Sequence, residues 1–229
     1  METQTRYEDV LALLPACKPA LYSKGQMIYS KNGASTSIYL VCSGNVGISE
    51  IADNGAEVLL DILGPDELFG ESAFLNAPHH SQHAKAIETA QVMTWPIADI
   101  GELITKRPPL GVALMQMLAH RNADYARRIE SLAIDSIERR LARSLIRFSE
   151  RLGTRDEGGC VKMLPLTHEM LSQYVGTSRE IITQYMNRFR KRGYVSYSRQ
   201  SIILYRDTLQ TVLQGNGPSS KGHSSYSSG

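Results

Sequence analysis

The amino-acid sequence predicts an α+β fold: an N-terminal antiparallel β-roll (jelly roll), a long dimerisation helix and a C-terminal winged helix-turn-helix. Short strand-like segments separated by Asn-Gly and Gly-Pro turns predict the roll, because this spacing is typical of antiparallel barrels and jelly rolls. Apolar residues at heptad spacing between Leu110 and Ile134 predict the long helix. Two amphipathic helices joined by a glycine-containing turn, followed by a period-two segment ending at Tyr205, predict the winged helix-turn-helix.

The predicted roll follows a short helix over residues 6–14, which Pro15 and Pro19 end. Its strands are about six residues long and are bounded by turn residues. We expect them at residues 26–30, 37–43, 46–51, 57–63, 84–89 and 91–96.

A short helix over residues 96–105 precedes a longer one that Pro108 and Pro109 open. One stripe of the longer helix alternates at three and four residues and predicts the seam of a parallel homodimer, in which the polar Asn122 would fix the register. The seam residues are Met115, Leu118, Asn122, Tyr125, Ile129 and Leu132. A neighbouring stripe can cover the roll, and it contains Leu114, Met117, Arg121 and Arg128. An ordinary amphipathic helix packed on the roll is the alternative.

Asp135 is expected to cap the next helix, over residues 136–152, with Glu138 as its capping-box partner. We expect the chain to change direction between the long helix and this one, which predicts a hinge at Ile134 and Asp135. Residues 153–159 are expected to form a loop and residues 161–164 a strand. The predicted domains are the roll (1–108), the dimerisation helix and hinge (109–135), the winged helix-turn-helix (136–214) and a disordered tail (215–229) with little to bury.

Thr167 and Ser178 are expected to cap the two helices of the helix-turn-helix, because a hydroxyl oxygen can accept a hydrogen bond from a first-turn N–H. Gly176 is expected to adopt the positive φ of the turn between them. The inward residues of the second helix recur at spacings of one, three and four: Ile181, Ile182, Tyr185, Met186 and Phe189. The opposite face is polar, and it carries Arg179, Glu180, Thr183, Gln184, Asn187 and Arg188.

The charge of the chain is unevenly distributed. Residues 1–135 contain 10 Lys and Arg against 16 Asp and Glu, a net charge of −6, whereas residues 136–206 contain 14 against 6, a net charge of +8. A cationic C-terminal third predicts a polyanionic partner, since displaced phosphate counterions favour association. A membrane surface is the weaker alternative, because the cations lie on a helix-turn-helix rather than on one amphipathic helix.

The cysteines and histidines do not predict a metal site. Cys17, Cys42 and Cys160 are far apart in the sequence, which is typical of reduced thiols in a cytoplasmic protein. The turn with His79, His80 and His83 lacks a third ligand at suitable spacing, so we expect it to be solvated. No catalytic motif is present, since His168-Glu169 lacks a second zinc-binding His. The prediction is therefore no enzyme, no cofactor and no metal.

The C-terminal stretch resembles the Crp/Fnr transcription regulators. The residues that stand at the start of that family's recognition helix are Gly176, Ser178, Arg179, Glu180, Ile181 and Ile182. In the roll, Ser43-Gly44, Gly64-Pro65 and Phe69-Gly70-Glu71 follow one another as in the family's cyclic-nucleotide-binding roll. The resemblance covers nearly the whole chain.

The resemblance implies an effector pocket at Gly70, Glu71, Ser81 and Gln82. Nucleotide-binding members place a Gly-Glu pair and an Arg-Ser pair around a cyclic phosphate and ribose, and the Arg holds phosphate oxygens bidentately. Here Ser81-Gln82 stands in place of Arg-Ser, so a phosphate would meet Glu71 with no fixed cation beside it unless Lys85 points inward. We therefore expect no cyclic AMP binding, while another small-molecule effector stays open.

The recognition helix is expected to read bases through Arg179, Glu180, Thr183 and Gln184. Arg can donate two hydrogen bonds to guanine, and Glu accepts one from the cytosine amino group. The resemblance implies a TGA-type core in each half-site, with Gln184 suiting adenine where the family usually carries Arg. A helix-dipole partner is the alternative role for Glu180. The expected phosphate contacts are Thr167, His168, Ser178, Arg188 and Arg199.

A homodimeric transcription regulator that binds double-stranded DNA and acts on RNA polymerase explains the charge distribution, the seam and the winged helix together. The alternative is a cyclic-nucleotide or other small-molecule sensor with the ligand held in the roll. A cytoplasmic location is expected, because the polar start is unlike a secretory signal and no apolar run approaches the ~20 residues of a membrane span.

Overall fold

The computed structural model describes residues 8–75, 78–156, 160–198 and 200–214. They form two compact units, one containing the chain up to Ile134 with Ser172–Gly176, the other Asp135–Leu171 and the chain from Thr177 onward. The predicted α+β class is confirmed: antiparallel sheets, a long helix and a C-terminal helix-turn-helix with a hairpin are all present. The tail predicted over residues 215–229 lies outside the described residues.

The first unit contains a β-roll. Its strands are β1 (Ala20–Tyr22), β2 (Met27–Tyr29), β3 (Ser37–Ser43), β4 (Val46–Ile51), β5 (Glu57–Leu63), β6 (Leu68–Phe69), β7 (His83–Ala86) and β8 (Ala90–Pro96). They form two four-stranded antiparallel sheets, ordered β1-β8-β3-β6 and β2-β7-β4-β5. Since successive side chains of a strand point to opposite faces, alternate residues enter the roll. The most deeply buried core residues of the roll, at most 2% exposed, include Val41, Val46, Leu63, Phe69 and Val92.

Three helices accompany the roll: α1 (Glu8–Leu13), α2 (Ile97–Lys106) and the long α3 (Pro108–Ile134). One face of α3 packs against the roll and α2, with Leu110, Ala113, Leu114 and Met117 buried. Further along the same face, the Arg128 guanidinium donates to the carbonyl oxygens of Leu59 (2.9 Å) and Leu60 (2.7 Å). The stripe predicted to cover the roll is therefore confirmed.

The second unit has a four-stranded antiparallel sheet, ordered β11-β12-β10-β9, with helices around it. The elements from α4 onward are α4 (Ile137–Leu152), β9 (Thr154–Arg155), β10 (Val161–Met163), α5 (His168–Val175), α6 (Arg179–Lys191), β11 (Val195–Tyr197), β12 (Ile202–Leu204) and α7 (Arg206–Leu213). All lie in the second unit except the part of α5 from Ser172 onward, which is counted with the first. The core is apolar, and its fully buried members include Leu141, Leu145, Phe148, Ile182, Met186, Phe189 and Leu209.

The predicted cap of α4 is wrong by one residue. Ser136 is the N-cap, and its hydroxyl accepts from the Arg139 N–H at 3.4 Å. The Asp135 carboxylate instead forms ion pairs with Arg139 and Arg143, at 3.0 and 2.6 Å. Glu138 is not a capping partner, because its carboxylate faces cations at the end of α6. Each of the two carboxylates has two guanidinium groups within reach and forms charge-assisted contacts with them, while the Ser136 hydroxyl caps the helix.

Several short elements were not predicted, namely β1, β6, β9, α7 and the 3₁₀ turn Glu71–Leu75. The strands among them have two or three residues, too few to show alternation. Among the described residues, no helix has the length and hydrophobicity needed to cross a bilayer.

Candidate nucleic-acid interface

The turn between α5 and α6 has the geometry that the sequence predicts. The Thr167 hydroxyl accepts from the Met170 N–H at 3.1 Å, and the Ser178 hydroxyl accepts from the Ile181 N–H at 3.3 Å. Gly176 has a φ of +73°, a left-handed value that residues with a Cβ rarely adopt. Helix α6 therefore begins at Arg179.

The outer face of α6 presents its first turns to solvent. Arg179, Glu180 and Gln184 are exposed, and Thr183 is half-buried. Hydrogen bonds from its own backbone N–H and from the Ser178 hydroxyl lower the pKa of Glu180, with a smaller contribution from Arg179. Glu180 is thus an anion at neutral pH, able to accept but not to donate hydrogen bonds.

His168 joins α5 to α6. Its Nδ1 lies 2.9 Å from the Thr183 hydroxyl, which itself donates to the Arg179 carbonyl oxygen at 2.8 Å. The His168 ring packs nearly perpendicular to the Tyr197 ring of β11, with 5.8 Å between ring centroids. The His168 side chain, from the first turn of α5, therefore contacts both the first turns of α6 and strand β11.

Tyr197 and Asn187 belong to the same surface, and neither was among the predicted site residues. The Tyr197 hydroxyl donates to the Asn187 side-chain oxygen at 3.0 Å, and the Arg190 guanidinium lies 5.3 Å from the centre of the Tyr197 ring. The sequence signal for Asn187 was its position one turn after Thr183 on the polar face. Tyr197 carried no such signal, since its neighbours come from another element.

Two cations at the end of α6 are held by α4. The Glu138 carboxylate lies 3.6 Å from an Arg188 nitrogen and 3.3 Å from an Arg192 nitrogen. Arg188 remains 53% exposed in its side chain, so it is oriented by Glu138 and still reachable from solvent. Arg199, a predicted phosphate contact, lies outside the described residues.

In the roll, the expectation that Glu71 has no fixed cation beside it is wrong. The Arg121 guanidinium, from α3, lies 2.8 Å from the Glu71 carboxylate and donates to the Leu68 carbonyl oxygen at 2.6 Å. Burial disfavours the charged form of Arg121, but Glu71 more than compensates and raises the pKa of Arg121. Lys85, which could have placed a cation beside Glu71 had it pointed inward, is exposed.

The predicted pocket residues differ in conformation and exposure. Gly70 has a φ of +86°, and a Cβ there would lie 2.7 Å from the Tyr39 ring, so the position requires glycine. Ser81 is exposed and Gln82 half-buried. Tyr29, Tyr39 and Phe69 pack together in the same unit, with centroids 5.1 to 6.0 Å apart.

The prediction of a solvated histidine turn is wrong for His80. Its side chain is 2% exposed and its ring stacks on Tyr29 at 3.8 Å, while Nδ1 lies 3.1 Å from the Ser72 hydroxyl. Burial lowers the pKa of His80. His79 is exposed, and His83 Nδ1 accepts from the Lys31 N–H at 3.3 Å. Within the described ranges, no group of three potential metal ligands comes together.

The predicted dimer seam is exposed along much of α3. Met115, Ile129 and Leu132 are 63%, 66% and 43% exposed, and Asn122 is exposed as well. Leu118 and Tyr125 are half-buried. This side of α3 therefore keeps apolar side chains in solvent in a single copy of the chain.

Two family models match the chain. The cyclic nucleotide-binding domain covers residues 20–107, and the Crp-like helix-turn-helix domain covers residues 139–212. A CRP-like cAMP-activated global transcriptional regulator of Mycobacterium tuberculosis is 26% identical over 196 residues, 85% of this chain and 87% of that protein. An anaerobic regulatory protein of Aggregatibacter actinomycetemcomitans is 28% identical over 181 residues, 79% of this chain and 70% of that protein.

Solved structures agree in fold. A transcriptional regulator of the CRP/FNR family from Thermus thermophilus has a TM-score of 0.70 at 25% identity, covering 87% of this chain and 100% of that one. FixK2 from Bradyrhizobium japonicum has a TM-score of 0.76 at 20% identity, covering 86% and 97%, which supports the fold alone.

A cyclic-nucleotide-binding-type roll joined to a helix-turn-helix defines a DNA-binding transcription regulator rather than an enzyme. The chain belongs to the Crp/Fnr family of transcription regulators.

The Glu71–Arg121 pair is expected to stabilise the first unit. Replacing Arg121 with Gln leaves Glu71 without its cation, so the free energy of unfolding should fall by about 1–3 kcal/mol, the usual cost of an unsatisfied polar group. Trp95, the single tryptophan, is 4% exposed in β8, so its fluorescence during denaturant unfolding reports on the roll. The double variant E71Q/R121Q should lose less than the sum of the two single losses, whereas additive losses would contradict the coupling.

Proposed function

We propose that two copies of the chain, paired along α3, bind a near-palindromic DNA operator and regulate transcription by RNA polymerase in the cytoplasm. The observation that carries the proposal is the start of α6, where Arg179, Glu180 and Gln184 are exposed while Ile182, Met186 and Phe189 are buried. A helix held in this way offers hydrogen-bonding groups to base edges in a major groove.

Base reading is assigned to Arg179, Glu180, Thr183 and Gln184. Arg179 has the donors for guanine and Glu180 the acceptor for a cytosine amino group, while Gln184 suits adenine. The Thr183 hydroxyl already has two partners within the protein, so we assign it a weaker part. Glu180 also lies at the helix N-terminus, where its charge is favourable, and the two roles are compatible.

Phosphate contacts are assigned to Thr167, His168 and Ser178 at the starts of α5 and α6 and to Arg188 further along α6, and Arg199 is retained from the sequence. Contacts of this kind fix the position of a protein on the duplex without reading the sequence.

Pairing along α3 is supported by its exposed apolar residues. Met115, Ile129 and Leu132 are between 43% and 66% exposed, and the exposed Asn122 lies between Met115 and Ile129 in the sequence. A second α3 would cover these side chains, and two copies would place paired recognition helices on an inverted repeat.

The signal that acts on the roll is proposed not to be cyclic AMP. Relatives are named for cyclic AMP and for anaerobic regulation, so family membership leaves the effector open. In this chain Arg121 is already bonded to Glu71 and Leu68, and Ser81-Gln82 replaces the Arg-Ser pair. A small-molecule sensor of another kind is the second candidate.

Arg179→Ala is expected to weaken binding to the preferred operator by about 1–3 kcal/mol and to relax selectivity at one base pair, the magnitude of one bidentate contact. Mobility shifts with duplexes selected from a random-sequence pool would measure both effects. Arg143→Ala is the matched control, because Arg143 lies on α4 and pairs with Asp135, which precedes that helix. Unchanged operator binding by Arg179→Ala would remove this residue from the base-reading set.

Ile129→Asp is expected to yield monomers, since a carboxylate in an apolar seam loses its hydration without gaining a partner. Ala123→Asp places the same charge on another exposed face of α3 and should leave the dimer intact. Sedimentation of the two variants, with and without DNA, distinguishes these outcomes. An Ile129→Asp variant that remains dimeric and prefers inverted repeats would argue against the seam.

Calorimetry with cyclic AMP and cyclic GMP is expected to show no saturable heat, because the cation of the pocket is committed to Glu71. The Mycobacterium tuberculosis relative, named as cAMP-activated, serves as the positive control. A micromolar dissociation constant for either nucleotide would favour the sensor hypothesis.

A further inference from the structure

The hydrogen bonds around Thr183 determine which nitrogen of His168 carries a proton. A threonine hydroxyl has one proton, and a carbonyl oxygen can only accept. The Thr183 hydroxyl therefore donates to the Arg179 carbonyl oxygen at 2.8 Å and must accept at its contact with His168. His168 Nδ1 is the donor across 2.9 Å, so a neutral His168 carries its proton on Nδ1.

The other ring nitrogen, Nε2, is then a bare acceptor whenever His168 is neutral. None of the described residues makes a hydrogen bond to it, and it is not among the buried polar atoms that lack a partner. The His168 residue is half-buried, and its ring borders the exposed start of α6. A lone pair at this position repels a phosphate oxygen, whereas an Nε2–H of the imidazolium would donate to it.

The surroundings of His168 keep it neutral in the free protein. Burial, and then the positive charge of Arg179 on α6, lower the pKa of His168 below its ordinary value of 6.5. The other ionisable groups of this neighbourhood are Glu169, next to it on α5, Tyr197 on β11, and Arg190, which lies over the Tyr197 ring.

We propose that His168 couples DNA binding to the uptake of a proton: it is neutral in the free protein and becomes an imidazolium when a phosphate oxygen accepts from Nε2. This rests on the proposed function, since it requires His168 to face the DNA backbone. It adds a regulatory property, because the affinity for an operator then depends on pH near neutrality.

The direction of the effect follows from linkage. A phosphate raises the pKa of His168 in the complex above its value in the free protein. Below the lower pKa the ring is protonated in both states and the contact is fully present. As pH rises through the pKa of the complex the contact is lost, so affinity falls about tenfold per bound copy for each unit by which the phosphate raises the pKa.

Calorimetry of the wild-type protein with a selected inverted-repeat duplex tests this directly. Titrations at neutral pH in buffers of different ionisation enthalpy report the number of protons taken up, and we expect uptake for the wild-type protein that is absent from His168→Gln. Nuclear magnetic resonance titration of the His168 ring proton in free and bound protein should show the pKa rising. Equal proton uptake in both proteins, or an unchanged pKa, would overturn the inference.

Two substitutions of His168 distinguish the role of Nδ1 from that of Nε2. Asparagine places an amide nitrogen near the position of Nδ1, so His168→Asn can keep the bond to Thr183 and should bind more weakly than wild type below neutral pH. Glutamine places its nitrogen near Nε2 and should donate to the phosphate at every pH, giving affinity independent of pH. A purely structural His168 predicts the opposite: wild-type binding and pH dependence for His168→Asn.

Failure of the inference is distinguishable from failure of the proposed function. Wild-type protein that binds the selected duplex no better than a scrambled one at any pH contradicts the proposed function, and the inference with it. Wild-type protein that selects its duplex while taking up no proton through His168 contradicts the inference alone.

Discussion

The candidate interface depends on which face of α6 is buried in the core and which face is left in solvent. Ile182, Met186 and Phe189 are at most 1% exposed, and their spacing of four and three residues puts them on one side of the helix. The polar residues of the first turns must then lie on the other side. Ser178 ends the turn and sets the first helical residue, so burial and capping together determine which side chains reach solvent.

Helix α3 shows how one element can serve two surfaces. Leu110, Leu114 and Met117 are buried at its N-terminal half, whereas Arg128 holds the other half through two carbonyl oxygens of β5. Apolar packing against the roll thus gives way to hydrogen bonds along the helix. Because both occupy one side, Met115 and Ile129 are left on the other, where a single copy of the chain has nothing to bury them.

Much of this architecture was predictable from local sequence signals. The strands β3, β4 and β5 match the expected ranges residue for residue, because each has six or seven residues between strong turn signals. The helix-turn-helix was predictable for the same reason, since its caps and its glycine are local. Contacts between distant residues were not: Arg121 reaches Glu71 across 50 positions, and His80 stacks on Tyr29 across a similar separation. No spacing rule within one element reports such pairs.

The net charge of a segment, like its local sequence pattern, does not report contacts between side chains. A net charge of +8 over residues 136–206 predicts a polyanionic partner, but it does not tell which cations are available to it. Asp135 engages Arg139 and Arg143, and Glu138 engages Arg188 and Arg192. Four of the basic side chains are thus oriented by carboxylates of their own unit. The arginine side chains are 38% to 53% exposed, whereas the Asp135 side chain is 4% exposed, so the carboxylates fix where these guanidinium groups lie. They hold the ends of α4 and α6 while the start of α6 keeps its hydrogen-bonding groups in solvent. The composition therefore predicts the class of partner, whereas only the structure shows which basic side chains are engaged within the protein.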